Sequence, residues 1–141
     1  MNLEKLQELE EKIGINFKNK DLLLQALTHR SYINERPEWH LDHNERLEFL
    51  GDAVLELVVT EYLYNNYSNP EGELTNWRAA LVNSVMLAKI SSKIDLNDYI
   101  LLSKGEARDV GRARQYILAN AVEAVLGAIY IDQGYAACDN F

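Results

Sequence analysis

The sequence feature that most constrains the fold is a long apolar run over positions 115–132. The run is too long for an ordinary strand and is rich in alanine, which predicts a buried helix at the centre of the fold. Asn120 and Glu123 are the only amide or carboxyl side chains between positions 116 and 131, and they lie about one helical turn apart. Because a buried carboxylate without a partner is strongly destabilising, Glu123 requires a cation, a strong hydrogen-bond donor or a proton.

Helical periodicity also describes the rest of the chain, and no strand pattern competes with it. The first helix has Asn2 as a plausible N-cap and Gly14 as its stop, and Asn44 can cap the longest helix. Because repeats and linkers are absent, we expect residues 1–141 to form a single all-α domain. The predicted helices span residues 3–13, 21–28, 45–67, 75–90 and 115–132, and the predicted exposed loops span residues 34–44 and 95–114.

The charge balance argues against a protein whose whole surface binds nucleic acid. The chain has 14 basic and 22 acidic side chains, which gives a formal net charge of −8. Bound divalent cations, or a basic domain outside this chain, would reconcile that charge with a nucleic-acid partner. The sequence also lacks a signal peptide and any uninterrupted run of about 18 apolar residues, which predicts a cytoplasmic protein with no membrane contact.

An acidic stripe follows one face of the predicted helix 45–67. Glu45, Glu48 and Asp52 stand at positions i, i+3 and i+7, so they stack along one side of the helix. On spacing alone, the solvated face of an amphipathic helix explains this stripe. The opposite face carries Leu47, Leu50, Val54 and Leu57.

Two details weaken the explanation by a solvated face. Leu55 and the apolar run 57–59 leave no polar side further along, so the helix is expected to be buried beyond the acids. Gly51 is a poor helix former that costs about 1 kcal/mol relative to alanine. Its presence in mid-helix indicates that another part of the chain approaches closely there.

If the two long helices pack together, their polar side chains meet in one pocket. Glu48, Asp52, Asn120 and Glu123 would then form a set of oxygen ligands suited to Mg²⁺, with Mn²⁺ as a substitute. The alternative for Glu123 is a buried salt bridge to an arginine or a lysine.

Other chemistries have less support in the sequence. His40, Asp42 and His43 lie close together, but with the distant Cys138 they do not make a closed zinc site. No P-loop, dinucleotide or nucleophile motif is present, so no organic cofactor is expected.

Two further features concern binding. Phe49 lies off the leucine face and close to the acids, where it is either a packing residue or an anchor in a protein interface. Positive charge gathers in one stretch only, and this stretch supplies the candidate phosphate contacts, although an ordinary solvated loop is the better explanation for any one of them. These residues are Lys104, Arg108, Arg112 and Arg114.

Several segments resemble the ribonuclease III family, in the family's order. The most specific is His-Asn-Glu-Arg-Leu-Glu-Phe-Leu-Gly-Asp-Ala-Val-Leu at 43–55. Further similar segments cover essentially the whole chain, at 26–32, 72–75, 104–106 and 123–130. The resemblance implies an all-helical endonuclease domain that dimerises, accepts an RNA duplex in one valley and cuts one strand at each of two sites. The products would carry a 5′ phosphate and a short 3′ overhang.

The resemblance also implies roles for individual residues. Glu48, Asp52 and Glu123 match the family's metal-binding carboxylates, and we expect Asp52 and Glu123 to be essential for catalysis. Glu45 and Glu71 match acidic residues that line the cleavage site. Phe49 matches an aromatic residue that enters a socket on the partner subunit.

This chain departs from the family pattern at Asn120, where an aspartate is usual. An amide oxygen can still coordinate a cation but brings no charge, so weaker metal affinity is expected. The family's C-terminal double-stranded-RNA-binding domain is absent from this chain. Two alternatives follow: a non-catalytic RNA-binding or ribosome-associated module, and a short-form relative that acts on ribosomal RNA precursors. We favour a truncated standard enzyme, active in RNA processing.

Overall fold

The computed structural model describes residues 2–108 and 111–140, apart from the side chain of Asn140, and its regular elements are helical. An isolated bridge between Thr28 and Leu101 is the only strand-like pairing in these ranges. None of the described helices is both long and apolar enough to cross a membrane. The helices are α1 (Leu3–Ile13), α2 (Lys20–Ala26), α3 (Arg30–Glu35), α4 (Glu45–Asn66), α5 (Glu71–Leu81), α6 (Ser84–Lys93), α7 (Lys104–Arg108), α8 (Arg112–Gln133) and α9 (Tyr135–Asn140), with a 3₁₀ turn at Leu96–Asp98.

Helix α8 is the centre of the fold, as its apolar sequence predicts. It packs against α2, α4, α6 and α9, and its residues 121–129 are all buried. The most extensive helix pair in the described part of the chain is α4 with α8. The all-α prediction is confirmed.

Two glycines allow α4 and α8 to approach each other closely. A Cβ atom on Gly51 would overlap the carbonyl oxygen of Glu123, and a Cβ atom on Gly127 would overlap the carbonyl oxygen of Leu47. Side chains at these positions would force the helices apart. The prediction of a close approach at Gly51 is confirmed, and the contacting segment is the turn that carries Glu123.

The N-terminal helix begins and ends as predicted. The Asn2 side chain accepts a hydrogen bond from the Lys5 N–H at 2.9 Å. Gly14 ends the helix in the left-handed conformation with φ +75°, and its N–H donates to the Glu10 carbonyl. Both caps satisfy backbone groups that a helix end leaves free.

The predicted helix over 75–90 is wrong as a single element. The chain forms α5 and α6 with a break between them, because the Asn83 side chain accepts from the Met86 N–H at 3.0 Å and starts a new helix. The predicted helix over 21–28 ends at Ala26, and a short helix, α3, follows it.

Three other local predictions need correction. Asn44 does not cap α4, because its buried amide donates to the Ala26 carbonyl at 2.9 Å. Leu57 is 54% exposed rather than part of the core, so α4 beyond its acids is buried on one side only, where Leu55 and Val58 pack against the core. The stretch 95–114 is not simply an exposed loop, since Leu96 and Tyr99 are buried within it.

Candidate active site

The α4–α8 contact brings carboxylates from both helices to one cleft. This cleft, of about 410 Å³, is lined by Glu45, Glu48, Phe49, Asp52 and Glu123. The predicted convergence of the α4 acids on Glu123 therefore exists in the structure. It depends on the glycine contact, because the overlap that Gly51 avoids is with Glu123 itself.

Glu123 is held in an environment that disfavours its charged form. Its side chain is 7% exposed. Burial, a hydrogen bond with Asp52 and the negative charges of Asp52 and Glu48 raise the pKa of Glu123 to about 8. The pKa of Glu48 is also raised, first by burial and then by the charges of Glu45 and Asp52. Glu123 therefore retains at neutral pH a proton that an isolated carboxyl group would lose.

Glu48, Asp52 and Glu123 take part in none of the ion pairs formed within residues 2–108 and 111–140. The alternative of a buried salt bridge for Glu123 is thus wrong for the described residues. A divalent cation would meet the need for positive charge, and carboxylate oxygens are the ligands that Mg²⁺ prefers.

The carboxylates of the cleft are not arranged in the coordination geometry of a metal site. Across the described ranges, no group of three or more histidine, cysteine, aspartate or glutamate side chains is arranged to hold a metal ion. Glu123 instead forms a hydrogen bond with Asp52. The oxygen donors and the negative charge of the cluster fit a hard cation, and binding would require these carboxyl groups to turn toward it and Glu123 to release its proton.

A second cleft, of about 230 Å³, adjoins the carboxylates and contains Asn120. It shares Glu45 and Glu48 with the first cleft. Asn120 is partly exposed and stands one turn before Glu123 on α8, so both residues flank Glu48. The remaining lining residues are His29, Arg30, Asn44 and Ile117.

His29 is a site residue that spacing arguments do not reveal. Its Nδ1 lies 2.7 Å from the Ser31 hydroxyl oxygen and accepts the Ser31 backbone N–H at 3.2 Å. Burial lowers the pKa of His29, which favours the neutral ring. The one sequence signal is its place in the segment 26–32, which resembles the ribonuclease III family.

Glu45 and Glu71, the two acids expected to line the cleavage site, lie in different parts of the structure. Glu45 lies at the rim, 3.6 Å from the Arg30 guanidinium and 3.4 Å from His43 Nδ1. Glu71 does not join the cluster within one chain. It lines a separate groove of about 840 Å³ beyond the C-terminal end of α4, with residues such as Tyr64 and Arg78.

The four basic residues that are candidate phosphate contacts differ in their exposure to solvent. Lys104 and Arg108 are exposed on α7, and Arg112 is exposed at the start of α8. The expectation of an exposed Arg114 is wrong, because this residue is 8% exposed. Its guanidinium donates to Asn97 Oδ1 at 2.6 Å and to the carbonyls of residues 106 and 107, so it holds α7 in place rather than facing solvent.

The residues considered as zinc ligands do not lie together in the structure. Cys138 is buried, and its thiol contacts the Leu126 carbonyl at 3.6 Å. His40 and His43 pair with different carboxylates, those of Asp21 and of Asp42 or Glu45.

The comparison with family models identifies the fold's relatives. The model described as Ribonuclease-III-like matches residues 19–141. The chain belongs to this family. The match includes the whole of α4 and the whole of α8, the two helices that form the carboxylate cleft.

Curated members of the ribonuclease III family are similar over almost the whole chain. Ribonuclease 3 of Oceanobacillus iheyensis is 51% identical over 92% of this chain and 58% of its own length. Ribonuclease 3 of Natranaerobius thermophilus is 54% identical over 91% of this chain and 55% of its own length. The chain thus spans somewhat more than half the length of these ribonucleases.

A solved structure agrees with the family assignment. The nuclease domain of ribonuclease III from Campylobacter jejuni superposes with a TM-score of 0.86 at 43% identity. The match covers 95% of this chain and 90% of that domain, which is described as having a flexible region involved in dimer formation. The fold is therefore that of a ribonuclease III nuclease domain.

Proposed function

We propose that this chain is the catalytic domain of a metal-dependent endoribonuclease that hydrolyses double-stranded RNA. The observation that carries the proposal is the buried Glu123, which faces Asp52 and Glu48 without a cationic side chain. A carboxylate cluster of this kind is costly unless a cation completes it. Similarity to proteins named Ribonuclease 3 supplies the reaction class.

Four residues would hold the cation. Glu48, Asp52 and Glu123 supply carboxylate oxygens, and Asn120 supplies a neutral amide oxygen directly or through water. Mg²⁺ is the expected ion, with Mn²⁺ as a substitute. When bound, a divalent ion would lower the pKa of water and stabilise negative charge on the phosphate. Asp52 and Glu123 are proposed to be essential because they come from different helices and interact directly across the cleft.

The remaining polar residues are proposed to position the RNA. Lys104, Arg108 and Arg112 are exposed cations at the α7–α8 end, and they are the candidate phosphate contacts. Recognition would rest on duplex shape, phosphates and 2′-hydroxyls, since A-form RNA hides its base edges in a deep groove. With a net charge of −8, this chain alone should bind RNA weakly and with strong salt dependence.

A homodimer is the proposed assembly, and Phe49 is its proposed anchor. This phenylalanine is 83% exposed beside the carboxylates, which is unusual for a large apolar side chain. A partner copy that covers Phe49 would also bring a second cleft close to the first. Sedimentation of the wild type and of Phe49→Ala would test this, and equal dimer affinity would contradict it. Other exposed apolar residues include Leu57, Tyr64, Trp77, Leu81, Val85, Tyr130 and Ile131.

The proposal also covers the reaction products and the cellular process that the activity serves. Products would carry a 5′ phosphate and a short 3′ overhang, and the activity would serve RNA processing, including that of ribosomal RNA, in the cytoplasm. Glu71 would act only if another chain brought it to the cleft, since it lies beyond the far end of α4.

The second candidate is a non-catalytic RNA-binding or ribosome-associated module. Asn120 favours this non-catalytic module, because its neutral amide stands where the family usually has a charged aspartate. The raised pKa of Glu123 speaks against it, since a site without function has no need to keep buried acids together.

The experiment that tests the proposal is cleavage of a long RNA duplex by the purified chain, with and without Mg²⁺. Mapping of the product ends should reveal 5′ phosphates and short 3′ overhangs in the presence of Mg²⁺ only. Duplex DNA serves as the matched substrate control. Binding of the RNA duplex without cleavage at any Mg²⁺ concentration would favour the non-catalytic module.

A further inference from the structure

His29 is held by a hydrogen-bond chain that reaches from α3 to the start of α7. The Ser31 backbone N–H donates to His29 Nδ1 at 3.2 Å, and the Ser31 hydroxyl oxygen lies 2.7 Å from the same atom. That hydroxyl also accepts the Ser103 backbone N–H at 3.0 Å. The Lys104 N–H in turn donates to a Glu35 carboxylate oxygen at 3.0 Å, which fixes the segment to α3.

This arrangement determines which ring nitrogen carries the proton. Nδ1 accepts an N–H from Ser31, so it cannot itself be protonated. The Ser31 hydroxyl accepts from Ser103, and its oxygen lies within hydrogen-bond distance of the same unprotonated Nδ1. The imidazole is therefore neutral, with its N–H at Nε2.

The free nitrogen is available at the site. Nε2 has no hydrogen-bond partner among the described residues, and it is not one of their buried unpartnered atoms. The ring lines the 230 Å³ cleft together with Glu45, Glu48 and Asn120. Of the other donors there, the Asn44 amide is bound to a backbone carbonyl, the Arg30 guanidinium lies near Glu45, and the Asn120 amide stands beside Glu48 as a further neutral donor.

We propose that His29 contacts the substrate, its Nε2–H donating a hydrogen bond to a non-bridging phosphate oxygen of the RNA strand at the carboxylate cleft. The inference rests on the proposed endoribonuclease function. A phosphate oxygen is a strong acceptor, and a neutral donor contacts it without neutralising the adjacent carboxylates. A lysine or arginine at this position would instead pair with Glu45 or Glu48 and compete with the cation.

A purely structural role for His29 makes a different prediction. Nδ1 caps α3 by accepting the Ser31 N–H, and the shorter side chain of asparagine would serve as a cap equally well. Capping needs an acceptor at Nδ1 and makes no use of Nε2. The two roles therefore depend on opposite sides of the ring and can be separated by substitution.

The test uses a matched pair of variants on an RNA duplex at saturating Mg²⁺. His29→Asn keeps an acceptor close to the Nδ1 position but has no donor that reaches the Nε2 position. His29→Gln extends an amide N–H toward the Nε2 position and loses the capping acceptor. We measure kcat/KM and Tm for both variants and the wild type.

The inference predicts opposite orders for stability and activity. His29→Asn should keep the wild-type Tm and lose about 10- to 100-fold in kcat/KM, the effect of removing one charge-assisted hydrogen bond. His29→Gln should have the lower Tm and the higher kcat/KM of the two. The Mg²⁺-induced rise in Tm should be the same in all three proteins, because His29 contacts the RNA and not the cation.

Other results would contradict either the inference or the proposed function. Wild-type kcat/KM in His29→Asn would overturn the inference, as would activities that fall in the same order as Tm. If the wild type itself does not cleave the duplex, the proposed function fails, and the result is recognisable because it does not depend on residue 29.

Discussion

The protein buries two glutamates in opposite ways. Glu10 is 5% exposed, and one carboxylate oxygen accepts the Phe17 N–H and the Lys20 ammonium, each at 2.6 Å. Glu123 is 7% exposed, yet its nearest charged neighbours are Asp52 and Glu48. The first glutamate has the donors that a buried charge needs, and the second lies among other acids.

The difference separates a structural carboxylate from one that is proposed to be functional. The contacts of Glu10 connect α1 to the start of α2, and they are complete within the chain. The surroundings of Glu123 lower the stability of the folded state unless a proton or a cation is present. A buried acid that its own chain leaves without a positive partner marks a site where something else binds.

The largest expected effect comes from removing the acids of the functional cluster. Asp52→Ala and Glu123→Ala should each lower the Mg²⁺-dependent cleavage rate by a factor of about 1,000 or more, roughly 4 kcal/mol of transition-state stabilisation. Cleavage of a labelled RNA duplex at fixed Mg²⁺ measures this. Glu10→Gln is the matched control, since it alters a glutamate of equal burial outside the cleft and should keep wild-type activity. A near-normal rate in either alanine variant would refute the assignment.

The next effect is the pH dependence of stability without metal. Because the folded-state pKa of Glu123 is raised to about 8, above its usual value of 4.5, the folded protein holds this proton more tightly than the unfolded chain. Its contribution to the free energy of unfolding is fully present below pH 4.5 and is lost as the pH rises through about 8. The loss should be on the order of 5 kcal/mol.

Denaturant unfolding in EDTA at several pH values, for the wild type and Glu123→Gln, isolates this contribution. The variant should lack this loss and be the more stable protein at pH 8, although it is inactive. Added Mg²⁺ should stabilise the wild type at pH 8 and leave the variant almost unchanged. Parallel pH curves for the two proteins would show that Glu123 is not held protonated.

A smaller effect is expected when the structural glutamate is changed. In Glu10→Gln the amide oxygen can still accept the Phe17 N–H, but the charge on Lys20 loses its partner. Because Lys20 is partly exposed and can turn to water, we expect a loss of about 1–2 kcal/mol in the free energy of unfolding. This loss should not depend on Mg²⁺. A Mg²⁺-dependent difference would mean that Glu10 is coupled to the cleft and that the contrast between the two glutamates does not hold.

The functional cluster could be predicted from the sequence because each signal is local. The spacing of Glu45, Glu48 and Asp52, the two polar residues of the apolar helix and the mid-helix Gly51 are all visible in the residues themselves. Together they require two helices to meet at Glu123. The same reasoning predicted α1 from its caps and its periodicity.

The remaining parts depend on contacts between distant segments. Arg114 is read from sequence as an exposed cation because its partners, Asn97 and the carbonyls of α7, come together only in the fold. His29 acquires its free Nε2–H through Ser31 and the distant Ser103. Asn83 interrupts a continuous helical pattern through a cap that periodicity does not detect.

The smallest expected effect concerns Asn120, where an added charge would change the cluster without rearranging it. In Asn120→Asp a carboxylate replaces a neutral amide beside Glu48, so the site gains one negative unit facing the cation. The half-saturating Mg²⁺ concentration for cleavage should fall about fivefold, or roughly 1 kcal/mol in cation affinity. Without metal the same change adds a like charge and should lower the Tm. The cleft would then differ even more from Glu10, whose carboxylate has its hydrogen-bond donors within the chain. Asn120→Ala removes the oxygen without changing the charge and should raise the half-saturating concentration. Equal half-saturation in the wild type and Asn120→Asp would mean that charge at this position does not control cation affinity, and that the neutral asparagine costs the site nothing.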